Sequence, residues 1–565
     1  MDDFSSIRQL LFEIYGEQKG REAADCITSM IDQFAVRQQK RTAFFSEEDV
    51  VLITYGDTLQ KQMEPPLRTF LEFAGKRLAD TVSAVHFLPF FPFSSDDGFS
   101  VIDYYTIDPC LGVWDDVSEV GTDFKLMFDF VINHFSARSQ WFGNYLNGVA
   151  GFEDMAIEAS PDTDLSQVVR PRALPLLTPF QKADGRTAHV WTTFSADQID
   201  FNFNSVEVLV KMVEVLLFYI EKGASILRLD AIAYLWKKEG TSCVHLRETH
   251  LMVQLLRGIL DLVAPDAILI TETNVPHAEN ISYFGDGRNE AQMVYNFTLP
   301  PLLLHTFIRQ DATVLSRWAK GLASASDAAT FFNFTASHDG IGVRPLEGIL
   351  PAEDIEYLVQ RVKANGGQVS YKRNTDGSDS PYELNISYVD AIMNDTQSDD
   401  PRPFLASQAI QYTLPGVPAT YIHSLLGSRN WMDGVAETKR ARTINREKLN
   451  VNLVEGELND TSSFRSRIFY PYCAMIQARR RQPAFHPNAS FEIMDSDPGI
   501  FAIRRHTAQQ TIYALTNVTA RPILVNSVND DVTAPLTDIL TGSHISPAGF
   551  RLKPYEYVWL TGSTN

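Results

Sequence analysis

The sequence predicts an α/β chain built on a closed (β/α)8 barrel of the TIM type. A small domain is inserted after its third strand, a second loop-rich insertion follows, and a C-terminal all-β domain ends the chain. Three observations predict this. Short apolar runs at 50–55, 84–89, 126–131, 224–230, 267–272 and 331–339 alternate with helical stretches, the pattern of buried parallel strands. That rhythm breaks at 148–204 and again at 365–402. After Pro487 the text changes to short β-like segments.

Residues 1–48 carry Leu10, Leu11, Ile14 and Tyr15 at helical spacing and read as a helical extension packed on the main domain. The barrel is expected over 49–147 and 205–485. Between these pieces, Pro171, Pro175 and Pro179 punctuate a loop-rich insert at 148–204. Gly366-Gly367, Asn374-Thr375-Asp376-Gly377 and Ser380-Pro381 mark the second insertion, 365–402, as a loop long enough to serve as a lid or binding loop. Residues 486–565 form the expected β domain.

The composition restricts the partners. With 49 basic and 70 acidic residues the net charge is -21, which argues against a nucleic-acid or anionic-membrane binder. Phosphate would have to be held by a local cluster of Arg, Lys, His and backbone N–H groups. Cys26, Cys110, Cys243 and Cys473 show no paired spacing, so reduced thiols in a cytoplasmic protein are expected. The N-terminus lacks the basic and apolar regions of a signal peptide, and no apolar run is long enough for a bilayer. His245 and His250 lie off the i,i+4 spacing of a helical metal pair, and neither a metal nor another cofactor is expected.

Three isolated acids, Asp230, Glu272 and Asp339, end the last three of those apolar runs. One such acid alone would be read as a cap on the next helix. In a barrel, however, the C-terminal strand ends face one pocket, and clustered carboxylates there cost stability unless chemistry uses them. Cleaving a glycosidic bond with retention needs two carboxyl groups, a nucleophile and an acid/base. Arg228, two residues before Asp230, points to the same side of the strand and would keep it ionised. Glu272, flanked by Ile270 and Val275, suits the acid, and Asp339 is free to hold sugar hydroxyls.

Asp129-Phe130-Val131-Ile132-Asn133-His134, Arg228-Leu229-Asp230-Ala231, Thr271-Glu272-Thr273 and Ala336-Ser337-His338-Asp339 resemble, in order and spacing, the four sequence blocks of glycoside hydrolase family thirteen, the α-amylase superfamily. The resemblance spans roughly 50–450. It implies Asp230 as nucleophile, Glu272 as general acid/base, Asp339 as transition-state stabiliser, and His134 and His338 as glucosyl ligands.

Leu88-Pro89-Phe90-Phe91-Pro92-Phe93, Asp96-Asp97-Gly98-Phe99, Trp191-Thr192-Thr193-Phe194 with Gln198, and Ala441-Arg442-Thr443 resemble the sucrose phosphorylase group, which exchanges a glucosyl group between an acceptor and inorganic phosphate. That implies Asp96 and Arg442 as a clamp on donor glucose and Phe99 and Phe194 as an aromatic wall. Val169-Arg170-Pro171-Arg172, Thr273-Asn274-Val275-Pro276-His277 and Gly427-Ser428-Arg429-Asn430 are most similar to its glucosylglycerate phosphorylase branch.

The group carries Gln where Glu383 aligns. An inward carboxylate would disfavour phosphate, so either Glu383 faces away or the acceptor loop differs. Arg172, Tyr382 and Arg442 are the candidates for phosphate or an acceptor carboxylate, since arginine offers bidentate contacts. The competing readings are sucrose, sucrose 6'-phosphate or glucosylglycerol phosphorylase, a hydrolase or transglucosidase on the same fold, and a non-catalytic sugar binder. Oligomeric state stays open.

Overall fold

The computed structural model describes residues 4–34, 43–171, 175–322, 326–373, 378–393, 398–529 and 532–562 of the chain. Eight parallel strands close into a barrel in chain order. They are β1 (Val51–Thr54), β2 (Ala84–Phe87), β3 (Lys125–Phe130), β4 (Ala224–Leu229), β5 (Ile268–Thr271), β6 (Met293–Tyr295), β7 (Thr330–Asn333) and β8 (Val417–Tyr421). β1 shuts the ring, pairing with β2 through Val51↔Ala84 and with β8 through Val51↔Ala419. Runs such as Val51-Leu52-Ile53 suit this place because side chains fill the inside while helices cover the outside, burying both faces.

β6 and β8 are strands that the sequence reading did not single out. β6 has only three residues, and β8 carries Pro418 just after Pro415-Gly416, a combination that reads as a turn. Gly416 has φ 133, and a Cβ there would meet Phe331 O at 2.6 Å, so only glycine fits the approach to β7. Asp230 and Glu272 directly follow β4 and β5, but Asp339 lies six residues beyond the end of β7, in a loop.

The extension forms two helices, Phe4–Tyr15 and Glu17–Gln33, and residues 43–48 are not helical. The first helix packs on Arg247–Val263 and the second on Val206–Glu221, with Ile7, Leu11, Ala23 and Ile27 joining the main core. Tyr15 donates to Phe203 O at 2.8 Å and its ring lies 6.1 Å from Trp236. Leu11 is fully buried, so Leu11→Ala is expected to cost about 2–5 kcal/mol of stability by denaturant titration. A loss below about 0.5 kcal/mol would mean that the extension detaches before the barrel unfolds.

Between β3 and β4, Leu177–Gln181 pairs with Thr187–Trp191, and Trp191 packs with Leu165, Val168, Leu176 and Cys243 in a small core of its own. Residues 172–174, and Arg172 with them, lie outside the described residues.

The expected loop at 365–402 is largely regular: strands Gln368–Arg373 and Asp379–Asn385 form an antiparallel hairpin, followed by helix Tyr388–Ile392. Its outer half is exposed or half-buried and rich in Ser, Asp and Lys, so the strands lack the apolar alternation that would mark them. After residue 486 come a six-stranded antiparallel sheet and a separate two-stranded pair enclosing a second core around Ile500, Leu515 and Leu560. Among the described residues no helix is long and apolar enough to cross a membrane.

Candidate active site

The C-terminal ends of the barrel strands open into one cavity. Asp230, Glu272 and Asp339 all line it, with Asp96, Phe99, His134, Phe194, Gln198, His338, Tyr382, Glu383 and Arg442. A wider outer chamber adjoins it, sharing Asp96, Gln198, Tyr382, Glu383 and Arg442 and adding Arg440 and Arg446.

Arg228 organises the floor. It is buried on β4 and donates to Asp129 of β3 and, at 2.7 Å, to Asp230. Asp129 is held in turn by His86 of β2, at 2.8 Å. The rings of Phe99 and Tyr295 lie 5.6 and 5.4 Å from the guanidinium, so it sits in a dry, rigid setting.

After Asp230 the chain turns sharply: Ala231 is left-handed at φ 50, and its N–H donates to Glu272 Oε2 at 3.1 Å. Glu272 is 4.0 Å from Arg228, farther than Asp230. Three carboxyls, Asp129, Asp230 and Glu272, thus share one buried cation. Burial pushes both Asp230 and Glu272 up; Glu272 adds to the rise at Asp230, and Asp339 to the rise at Glu272. Arg228 donates to Asp230 at 2.7 Å and stands 4.0 Å from Glu272, so it favours the ionised form of Asp230 more than that of Glu272.

Asp339 is the reverse case. Burial alone would raise it, but Arg442 at 2.7 Å, His338 and Arg446 overcome that and hold its carboxyl well below the usual range. Burial also keeps the imidazoles neutral, lowering His134 to about 4 and His338 to about 3. His134 Nε2 lies 2.9 Å from Phe99 O and 3.0 Å from the Gln198 amide, which also reaches Asp96 at 3.2 Å.

The two aromatics differ. Both line the cavity, but Phe99 stacks on His338 with centroids 4.8 Å apart. Phe194 packs against His134 and Tyr234.

Glu383 faces inward. It is 3 % exposed, and Arg442 donates to it from Nε and Nη2 at 3.1 and 2.9 Å. That removes one of the two options left by the sequence: the carboxylate does not turn away, and an arginine neutralises it. Asn274, Phe297 and Gly340 also line the cavity without having been singled out. Asn274 stands two residues past Glu272, and its Oδ1 is buried with no hydrogen-bond partner among the described residues.

No group of three or more His, Cys, Asp or Glu among the described residues could hold a metal ion. His245 bonds Tyr283 and Glu279, and His250 bonds Glu290.

The catalytic-domain profile of the α-amylase family matches residues 79–339. The glucosylglycerate phosphorylase of Spirochaeta thermophila is 44 % identical, over 99 % of both chains. That of Escherichia coli is 45 % identical, over 98 % of this chain and 99 % of its own. The chain belongs to the α-amylase family, among its glycoside phosphorylases. A sucrose phosphorylase of Agrobacterium vitis is 32 % identical over 80 % of this chain and 91 % of its own. The crystal structure of the sucrose 6F-phosphate phosphorylase from Thermoanaerobacter thermosaccharolyticum superposes with TM-score 0.73 and 27 % identity, over 84 % of this chain and 94 % of that one. That phosphorylase shares the barrel, and identity to these two glucosylglycerate phosphorylases is higher, and over more of the chain, than to the sucrose phosphorylase.

Proposed function

We propose that the protein is a retaining glucoside phosphorylase that moves an α-glucosyl group between 2-O-α-glucosylglycerate and inorganic phosphate. The observation that carries this reading is 44–45 % identity to glucosylglycerate phosphorylases over 98–99 % of the chain, against 32 % or less for the sucrose phosphorylases.

In the first step a carboxylate oxygen of Asp230 attacks the anomeric carbon. The glycosidic bond breaks, and Glu272 gives its proton to the departing glycerate oxygen. A β-glucosyl ester results. Phosphate then attacks the same carbon, Glu272 takes back a proton from it, and the ester carboxylate returns to Asp230. Two inversions give α-glucose 1-phosphate. Asp339, kept ionised, accepts sugar hydroxyls in the strained transition state, while His134, His338, Asp96 and Gln198 hold the ring. Arg442 belongs to the donor side, and Arg172 and Tyr382 remain the acceptor and phosphate candidates. Four unpaired cysteines suit a cytoplasmic setting.

The test supplies α-glucose 1-phosphate with glycerate, fructose, fructose 6-phosphate, glycerol or water and follows phosphate release. Glycerate is expected to be faster than each of the others by at least about tenfold, because a site built for a polar group rejects analogues lacking it. Equal rates with water alone would make the protein a hydrolase; a preference for fructose would move it among the sucrose enzymes.

A further inference from the structure

We propose that Glu383 is a positioning residue that fastens Arg442 to the donor side of the site, against Asp339, and withholds it from the acceptor's anionic group. The inference rests on the phosphorylase reading and adds a specificity device to it. Arg442 is committed on every nitrogen: Nε and Nη2 to Glu383, Nη1 to Asp339 at 2.7 Å. Glu383 is itself pinned. Its Oε1 accepts the Gly340 N–H at 3.1 Å, and its backbone is in register with Gly342 in the hairpin that carries Tyr382.

Gly340 shows how close this contact is. A Cβ there would lie 2.5 Å from Glu383 Cγ and 2.8 Å from Leu384 O, so the chain just after Asp339 rests directly on the hairpin. Glu383 thereby joins three elements around one carboxylate. The other arginines lining the outer chamber are also paired, since Arg440 and Arg446 both bond Asp97. An incoming phosphate or glycerate carboxylate that approached Arg442 would meet two carboxylates already on it. The mouth is thus electrostatically closed to anions at Arg442, and their cation must come from another part of the acceptor side.

Two substitutions separate reach from charge. Glu383→Gln keeps the length and an acceptor for Gly340 but frees one positive charge. Glu383→Asp keeps the charge but shortens the reach to Arg442. E383Q is expected to lower the KM for phosphate by at least about threefold while the KM for uncharged glycerol as acceptor stays put. E383D is expected to keep the phosphate KM and lose about tenfold in kcat, as a loosened positioning contact does.

Calorimetric titration of inorganic phosphate into the wild type and E383Q reads the same gain in affinity without turnover. Wild-type inactivity together with tighter phosphate binding by E383Q would therefore sink the phosphorylase reading and keep this one. Unchanged phosphate binding in a folded E383Q, or equal changes for phosphate and glycerol, overturns it whether or not E383D folds.

Discussion

Asp230→Ala is expected to lose turnover by about 10⁴-fold or more, because without its carboxylate no glucosyl ester forms and the two-step route is closed. The fold should survive the change. Arg228, the buried cation that Asp230 faces, keeps Asp129, so no buried charge is left without a partner. The loss therefore reads as chemistry and not as unfolding.

The covalent step has its own signature. Acid quenching of wild type with α-glucose 1-phosphate in the absence of acceptor should trap a glucosyl adduct on the peptide containing Asp230, visible by intact and peptide mass. The Ala variant should show none. Turnover above about one per cent of wild type, or an adduct on another carboxylate, would remove Asp230 from the role.

The catalytic end of the barrel was legible because buried strands announce themselves by composition. Runs such as 224–230 and 267–272 are too apolar to lie elsewhere, and an acid closing each one stands out against that background. What escaped was either short or non-local. β6 spans three residues, and helix Arg402–Thr413 is buried over almost its whole length and so shows no amphipathic stripe. The hairpin Gln368–Arg373/Asp379–Asn385 is polar on its exposed outer half and looked like loop.

Charge pairing escaped for a related reason. Glu383 and Arg442 lie on different elements far apart in the chain, so their ion pair has no local sequence pattern. From the sequence, Glu383 could only be posed as a question about direction. Likewise the left-handed Ala231, which aims an N–H at Glu272, is invisible because alanine carries no preference for that conformation.

Glu272→Gln is expected to split the two donors. Glycerate leaves as an alkoxide-like oxygen and needs a proton, so breakdown of glucosylglycerate should slow by about 10²–10⁴-fold. Phosphate leaves as a stable anion, and formation of the ester from glucose 1-phosphate should suffer far less. Similar losses with both donors would argue that Glu272 shapes the site and does not hand over a proton.

Stability moves in the opposite direction. Burial raises the Glu272 carboxyl above its ordinary range, so between the unfolded and folded values the native state holds a proton that the unfolded chain has released. With more protons bound in the native state, stability falls as pH rises through that window. The contribution is complete below the ordinary carboxylate range and lost above the raised value. Glutamine does not titrate, so Glu272→Gln should melt progressively higher than wild type as pH climbs above the ordinary carboxylate range. A melting-temperature gap that stayed constant across that range would mean that Glu272 is not held protonated by its surroundings, and the acid role would lose its physical basis.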